Sequence, residues 1–268
     1  MSLLSRDKKL NDIVKGKSVC LVGLSGYLVE SNLGEFIDSH DIVCRIGDFP
    51  PFEFIKDYGI KLDVLFHAFS DVPHEIEEFR LFVNGNYNFY DRIRLMVAPT
   101  ITQKPFGPFD KKANEIYNVY VDGFDKKPFT QLTEYDYIKV WKELNGDFNT
   151  GMVVMLMLLA CEIKSLFITG FSFYFECDPK NYYPPKSCYW PGSVYTKYCN
   201  NALYENKKSG FVPGVILPEN NHDQEHQKKY FVEKMLNFNG DKMVIDSYLK
   251  DIVLKIQYNN VKKIEIGK

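Results

Sequence analysis

The chain has 268 residues, of which 45% are hydrophobic and 15% aromatic, and its formal net charge is −2 at pH 7. This length suits one large α/β domain with a sizeable core. The charge excludes a basic field that would attract nucleic acid or an anionic membrane surface. The first residues are too few and too polar for a signal peptide or anchor. We therefore expect a protein with no membrane span.

Short apolar runs alternate with helical stretches along the first 170 residues. The runs are rich in β-branched residues and bounded by Gly, Pro or charges, which is typical of buried strands. The alternation predicts a doubly wound α/β fold, a Rossmann-like, mostly parallel sheet flanked by helices, with its ligand site at the carboxyl ends of the strands. The predicted strands are 19–23, 42–46, 63–69, 94–98 and 165–170, and the predicted helices are 34–38, 74–83, 132–143 and 151–163.

The stretch from Phe175 to Pro218 interrupts this alternation. It is rich in Pro, Tyr, Asn, Cys and Gly and has little periodicity, which indicates an irregular lid over the site. Helical periodicity returns from His222 to Phe238, and residues 240–268 are predicted to add short peripheral elements. Because no clear linker occurs, we predict a single domain over residues 1–268.

The first informative motif follows the first predicted strand. An apolar run ends in a Gly-x-Ser-Gly turn, and a polar stretch leads through Ile-Asp-Ser-His-Asp into a second apolar run closed by Arg45. This order is that of strand, tight turn, helix and strand. The glycines allow backbone N–H groups to approach a phosphate at a helix N-terminus. The turn consists of Gly23, Leu24, Ser25 and Gly26.

A second motif joins a capped helix to a later strand. Asn149 or Thr150 can cap the helix that begins at Gly151. The N-terminus of that helix offers unpaired N–H groups and partial positive charge, which suit a carboxylate. The following strand ends in Gly-Phe-Ser-Phe-Tyr, whose tyrosine is Tyr174.

A third cluster, at residues 220–226, places histidines at the start of an amphipathic helix. An imidazole of near-neutral pKa suits removal of a proton from a hydroxyl group. His222 and His226 are both candidates for this general base, and His222 is the one that we favour.

In this order, the three motifs resemble the large, small and very short sialylmotifs of sialyltransferases. The second is also similar to a stretch of the bacterial lipooligosaccharide sialyltransferases. The resemblance implies a GT-A-like variant of the fold and inverting, metal-independent transfer of sialic acid from CMP-sialic acid to a glycan hydroxyl. The partners are then the donor and a glycan acceptor, with no cofactor. The acceptor, the linkage and the oligomeric state stay open. An Asp-x-Asp triplet, which metal-dependent glycosyltransferases use, does not occur.

The resemblance also implies roles for particular residues. It assigns the general base to His222 and hydrogen bonds to the departing phosphate to Tyr174 and to Tyr182 or Tyr183, where phenol donors stabilise developing negative charge. No metal ligand is implied. The implied donor-binding residues are Gly23, Leu24, Ser25, Gly26, Gly47, His67, Ser70, Asn149, Thr150 and Gly151.

Two positions depart from the sialyltransferase pattern. Leu24 and Gly47 stand where these enzymes carry asparagines that contact the nucleotide, so two contacts of about 1 kcal/mol each are missing. Backbone N–H groups of the turn could still hold phosphate, and Asp48 could serve a ribose hydroxyl. Two alternatives therefore stay open: a transferase of the same fold that uses another nucleotide sugar, and an inactive nucleotide- or glycan-binding module.

The cysteines and Arg45 are predicted to be structural. The 6 cysteines are too few for a disulfide scaffold and form no C-x-x-C pair, which indicates buried thiols. Cys20 and Cys161 lie one place from the cysteines that are joined in animal sialyltransferases. Because animal sialyltransferases also carry an N-terminal anchor, the thiols and the polar first residues lead us to expect a cytoplasmic protein of microbial or viral origin. Arg45 is expected to pair with Asp38 or Asp41.

Overall fold

A computed structural model describes residues 3–23, 25–47, 54–69, 73–85, 87–99, 109–144, 149–171, 224–236, 242–251 and 253–254. Among these residues, seven strands form one sheet in the order β5-β4-β3-β2-β1-β6-β7, and every neighbouring pair is parallel. The predicted fold class is therefore confirmed, while the predicted lid lies outside the described residues. The strands are β1 (Ser18–Val22), β2 (Ile42–Ile46), β3 (Val64–Phe66), β4 (Leu95–Ala98), β5 (Phe129–Gln131), β6 (Ser165–Thr169) and β7 (Met243–Ile245).

Helices connect the strands and cover both faces of the sheet. A 3-10 turn over Gly26–Leu28 follows β1, and α9 continues as a π-helix over Phe231–Leu236. In the part of the chain that the structure describes, no helix combines the length and the hydropathy that a membrane crossing requires. The helices are α1 (Lys8–Val14), α2 (Gly34–Asp38), α3 (Ile55–Tyr58), α4 (Pro73–Gly85), α5 (Tyr87–Arg92), α6 (Phe109–Tyr120), α7 (Glu134–Glu143), α8 (Thr150–Leu159) and α9 (Gln224–Tyr230).

The strands are apolar on both sides because helices pack on both faces of the sheet. In β1, Val19 and Leu21 belong to the core that contains α8, while Cys20 and Val22 face the opposite layer with Ile37 of α2. Helix α8 lies in the middle of the layer that packs against Val19 and Leu21. It is buried from Gly151 to Leu158. Its lack of a polar face follows from this central position.

The order of the strands reverses beside β1. Strands β2 to β5 extend from one side of β1, and β6 and β7 extend from the other. In open parallel sheets, ligands bind outside the carboxyl ends of the strands at such a switch point. The register pairs Val22 with Thr169, so β1 and β6 end at the same level. The space beyond these two ends, where a ligand is expected, is called the switch-point crevice.

Arg45 is structural, as predicted, but its hydrogen-bond partners differ from the prediction. Its Nε donates to the carbonyl oxygen of Lys61 at 2.9 Å and its Nη2 to that of Tyr58 at 2.7 Å. The carboxylate of Asp38 accepts the N–H of Lys61 instead. The arginine therefore satisfies buried backbone carbonyls of the segment that leads into β3.

The described cysteines are free and buried, namely Cys20, Cys44 and Cys161. Burial raises the pKa of the Cys20 thiol and of the Cys161 thiol to about 12. A thiol with so high a pKa has almost no thiolate at neutral pH, and these side chains therefore act as small apolar groups.

We predict that Leu158→Ala destabilises the protein far more than Leu159→Ala. Leu158 is fully buried in α8, whereas the neighbouring Leu159 only packs against the edge of the same core. Removal of a fully buried leucine side chain costs about 2–5 kcal/mol. Urea unfolding of both variants measures the difference, and equal losses would contradict the central position of α8.

Candidate functional site

The ends of β1 and β6 touch backbone to backbone at the switch point. The N–H of Gly23 donates to the carbonyl of Thr169 at 2.9 Å, and the N–H of Ser25 donates to that of Gly170 at 2.9 Å. A Cβ atom at Gly23 would lie 2.3 Å from the carbonyl oxygen of Gly170, which itself has a φ of +76°. Both positions therefore require glycine, the first for space and the second for its backbone conformation.

Because of this contact, fewer backbone N–H groups of the turn are available to bind the predicted phosphate. The N–H groups of Gly23 and Ser25 already donate to β6 and the residue after it. Gly26 and Tyr27 begin the 3-10 turn, so their N–H groups have no acceptor within that turn. A phosphate contact by the turn backbone is thus predicted for Gly26 and Tyr27. Leu24 lies outside the described residues.

Phe171 brings the first two motifs together. A Cβ atom at Gly23 would lie 3.0 Å from its ring, and one at Gly151 would lie 2.6 Å from the same ring. The absence of side chains at both glycines therefore makes room for the aromatic ring between the turn and the start of α8. The side chain of Asn149 caps this helix by accepting the N–H of Gly151 at 2.6 Å, as the sequence predicts.

Helix α9 is attached to the start of α8. The Oε1 atom of buried Gln227 accepts the N–H of Asn149 at 3.0 Å. Nε2 of His226 lies 3.0 Å from the carbonyl oxygen of Glu143. The structure thus brings the helix of the third motif to the second motif. Nε2 of His226 is directed at α7, whereas His222 lies outside the described residues.

A buried polar cluster, which sequence reasoning missed, lies behind the turn. The carboxylate of Asp246 follows β7 and accepts hydrogen bonds from the hydroxyls of Tyr27 and Thr169, the latter at 2.6 Å. The Tyr27 hydroxyl also accepts the N–H of Gly170 at 2.7 Å. Burial, with the adjacent carboxylate, raises the pKa of Tyr27 well above its ordinary value, so the phenol stays protonated.

Two further predicted donor-binding residues follow β2 and β3. Gly47 has a φ of +74°, and its N–H donates to the carbonyl of Phe66 at 2.8 Å. The His67 ring packs against Phe69 and Tyr120, and its Nδ1 accepts the N–H of Phe69 at 2.9 Å. Burial lowers the pKa of His67 to about 4, so at neutral pH it is an uncharged part of an aromatic cluster.

The structure therefore brings together two groups of predicted site residues at the switch point, and it attaches the helix that follows the histidine motif to the second of them. The two groups are the turn residues Gly23, Ser25 and Gly26 and the start of α8 with Asn149, Thr150 and Gly151. Among the described residues, no group of three His, Cys, Asp or Glu side chains is placed to hold a metal ion. The remaining predicted residues lie outside the described ranges, namely Leu24, Ser70, Tyr174, Tyr182, Tyr183 and His222.

Comparisons with known proteins agree with the resemblance that the sequence predicts. Residues 6–99 match the family model of glycosyltransferase family 29 (sialyltransferase). This range contains the turn, α2 and strands β1 to β4, and so includes the first motif completely. A search of curated protein sequences finds no match.

Solved structures show a similar fold. The chain is similar to a mammalian sialyltransferase in complex with Gal-β-1-3GalNAc-ortho-nitrophenol, with a TM-score of 0.52 and 18% identity over 90% of this chain and 74% of the other. The sialyltransferase CstII from Campylobacter jejuni, in complex with CMP-3FNeuAc, gives a TM-score of 0.49 and 11% identity over 85% of this chain and 81% of the other. The family match and the fold together support a glycosyltransferase and confirm the predicted resemblance.

We predict that His67 makes the protein less stable as the pH falls from about 6.5 to about 4. Its pKa is about 4 in the folded protein against 6.5 for a free side chain. Below pH 6.5 the unfolded chain therefore binds a proton that the folded protein does not, at a cost of up to about 3 kcal/mol.

The variant His67→Asn isolates this contribution. An asparagine oxygen can accept the same N–H group of Phe69 without titrating. Chemical unfolding at several pH values should show that the difference in stability between wild type and variant shrinks as the pH falls through this window. A constant difference would show that the pKa of His67 is the same in the folded protein as in the unfolded chain.

Proposed function

We propose that the protein transfers sialic acid from CMP-sialic acid to a glycan hydroxyl, with inversion and without a metal ion or other cofactor. The observation that carries the proposal is the family match over residues 6–99, which contains the Gly23–Gly26 turn. The same turn lies at the carboxyl end of β1, beside the switch point of the sheet, where a nucleotide is expected to bind.

We assign the negative groups of the donor to the turn and to the start of α8. The N–H groups of Gly26 and Tyr27 suit the phosphate. Helix α8 begins next to the same crevice, and its partial positive charge suits the carboxylate that distinguishes sialic acid from neutral sugars. The Asn149 side chain already holds the N–H of Gly151, so the contact in the first helical turn is assigned to Thr150.

His222 is the proposed general base. It takes the proton of the acceptor hydroxyl while the oxygen forms a bond to the anomeric carbon and the bond to the phosphate of CMP breaks, through an oxocarbenium-like transition state. His222 lies five positions before Gln227, which contacts Asn149, and five steps of extended chain span at most about 18 Å. The contact of His226 with Glu143 favours His222 over His226 for this role.

Tyrosines after β6 are the proposed donors to the departing phosphate. Tyr174 lies three residues beyond Phe171, whose ring separates the turn from α8. A hydroxyl in that region suits the phosphate oxygens of CMP as negative charge develops on them. Tyr182 or Tyr183 is the second proposed donor.

A transferase of the same fold that uses another nucleotide sugar is the second candidate. It is favoured by Gly47, which lacks the side chain that sialyltransferases use, and whose N–H already donates to Phe66. An inactive binding module would bind the nucleotide or the glycan without any transfer or donor hydrolysis.

We predict that CMP raises the melting temperature more than UMP, GMP or AMP does. A cytidine site makes specific contacts that the other bases lose, and each missing hydrogen bond lowers affinity. Incubation with CMP-sialic acid should also release CMP, faster when a glycan mixture is present. Preference for another nucleotide would favour the second candidate, and CMP binding without CMP release would favour the binding module.

We further predict that His222→Ala lowers the rate of transfer by about 10²–10⁴-fold, because loss of a general base removes an effect of this size. The affinity for CMP, measured by calorimetry, should stay within about twofold of wild type. The control is His226→Ala, which should retain most of the activity. If His222→Ala turns over at a near-normal rate, His222 is not the base.

A further inference from the structure

The carboxylate of Asp246 joins three parts of the chain. Its Oδ2 atom accepts hydrogen bonds from the hydroxyls of Tyr27, in the 3-10 turn, and of Thr169, at the end of β6. Its Oδ1 atom accepts the N–H of Leu249 at 2.7 Å and so caps the helical residues that follow β7. With three donors, the buried carboxylate is well compensated.

The hydroxyl of Tyr27 connects the Asp246 carboxylate to the backbone at the ends of β1 and β6. It donates to Asp246 and accepts the N–H of Gly170, and the carbonyl of Gly170 in turn accepts the N–H of Ser25. A closed circuit of hydrogen bonds thus runs from the 3-10 turn through Gly170 and back to the residue that precedes that turn. The Tyr27 ring is also stacked on Tyr248, with 3.9 Å between the ring centroids.

We infer that Tyr27 and Asp246 are positioning residues that fix the backbone of Ser25, Gly26 and Tyr27 for the donor nucleotide. This inference rests on the proposed function, because it concerns the same crevice. Neither side chain needs to touch the donor. They act through the backbone N–H groups of Gly26 and Tyr27, whose direction depends on where the tyrosine hydroxyl is held.

The position of the pair argues for an effect on the site beyond its effect on stability. Hydrogen bonds of tyrosine hydroxyls also occur far from the site, as where Tyr90 donates to the carbonyl of Asp125 at 2.7 Å. Tyr90 belongs to the aromatic core around β3 and β4. The Tyr27 hydroxyl, in contrast, lies at the switch point, where it accepts the N–H of the residue that follows β6. Loss of either hydroxyl should weaken folding, but loss of the Tyr27 hydroxyl should also weaken donor binding.

The test compares Tyr27→Phe with Tyr90→Phe as the matched control. Each change removes one hydroxyl and keeps the ring. For Tyr27→Phe we expect the Kd for CMP and the KM for the donor to rise about tenfold, the loss typical of a hydrogen bond to a charged group. The kcat value and the acceptor KM should stay within about threefold, because binding of the ground state and of the transition state is weakened equally.

Tyr90→Phe should lower the melting temperature and leave both donor constants within about twofold of wild type. If Tyr27→Phe behaves in the same way, the positioning role is wrong and the pair is only structural. If wild type itself neither binds CMP nor releases it from CMP-sialic acid, the proposed function fails instead, so the two failures are distinguishable.

A double-mutant cycle with Asp246→Asn and Tyr27→Phe gives an independent measurement. Because the two side chains share one hydrogen bond, their effects on the Kd for CMP should be non-additive. The double variant should bind CMP about as weakly as the weaker single variant. Additive effects would overturn the idea that the two residues act as a pair. Thr169→Val, which removes a different donor to the same carboxylate, keeps the measurement possible if Asp246→Asn does not fold.

Discussion

The contact between Gly23 and Gly170 is the constraint on which the rest of the site depends. The two strand ends approach so closely that a Cβ atom at Gly23 would lie 2.3 Å from the carbonyl oxygen of Gly170. This approach puts the turn after β1 directly beside the residue that leads on from β6. Two motifs that are more than a hundred residues apart in sequence therefore face one crevice, and the edge above β1 and β6 becomes a place where a ligand can meet several backbone dipoles at once.

Three side chains then attach neighbouring elements to this contact. Phe171 fills the space between the turn and α8, Gln227 holds α9 to the N-cap of α8, and Asp246 connects the 3-10 turn to β7. None of them belongs to the residues proposed to act on the substrate. These three side chains support the site: their buried hydrogen bonds and ring packing hold the backbone groups of the turn and of the start of α8 in a defined geometry.

Elements with a strong local pattern could be predicted from the sequence. Strand β2 and helix α2 occur at the predicted residues, because their apolar periodicity is clear and turn residues bound them. Strand β5 was missed since its three residues, Phe129–Gln131, are only half-buried and follow a lysine-rich stretch. The role of Asp246 could not be predicted at all. An aspartate in a short C-terminal segment gives no local sign that its partners are Tyr27 and Thr169, and only the tertiary fold brings them together.

The separation of 219 residues between Tyr27 and Asp246 affects how the protein folds during its synthesis. Tyr27 leaves the ribosome about 10–45 s before Asp246 does, at ordinary rates of translation. Between the synthesis of β6 and that of β7, the edge of β6 has no partner strand, and such an edge is a template for mispairing. The hydrogen bonds that hold the 3-10 turn are therefore complete only after Asp246 has been synthesised, and chains that terminate before residue 243 should be found with chaperones or proteases.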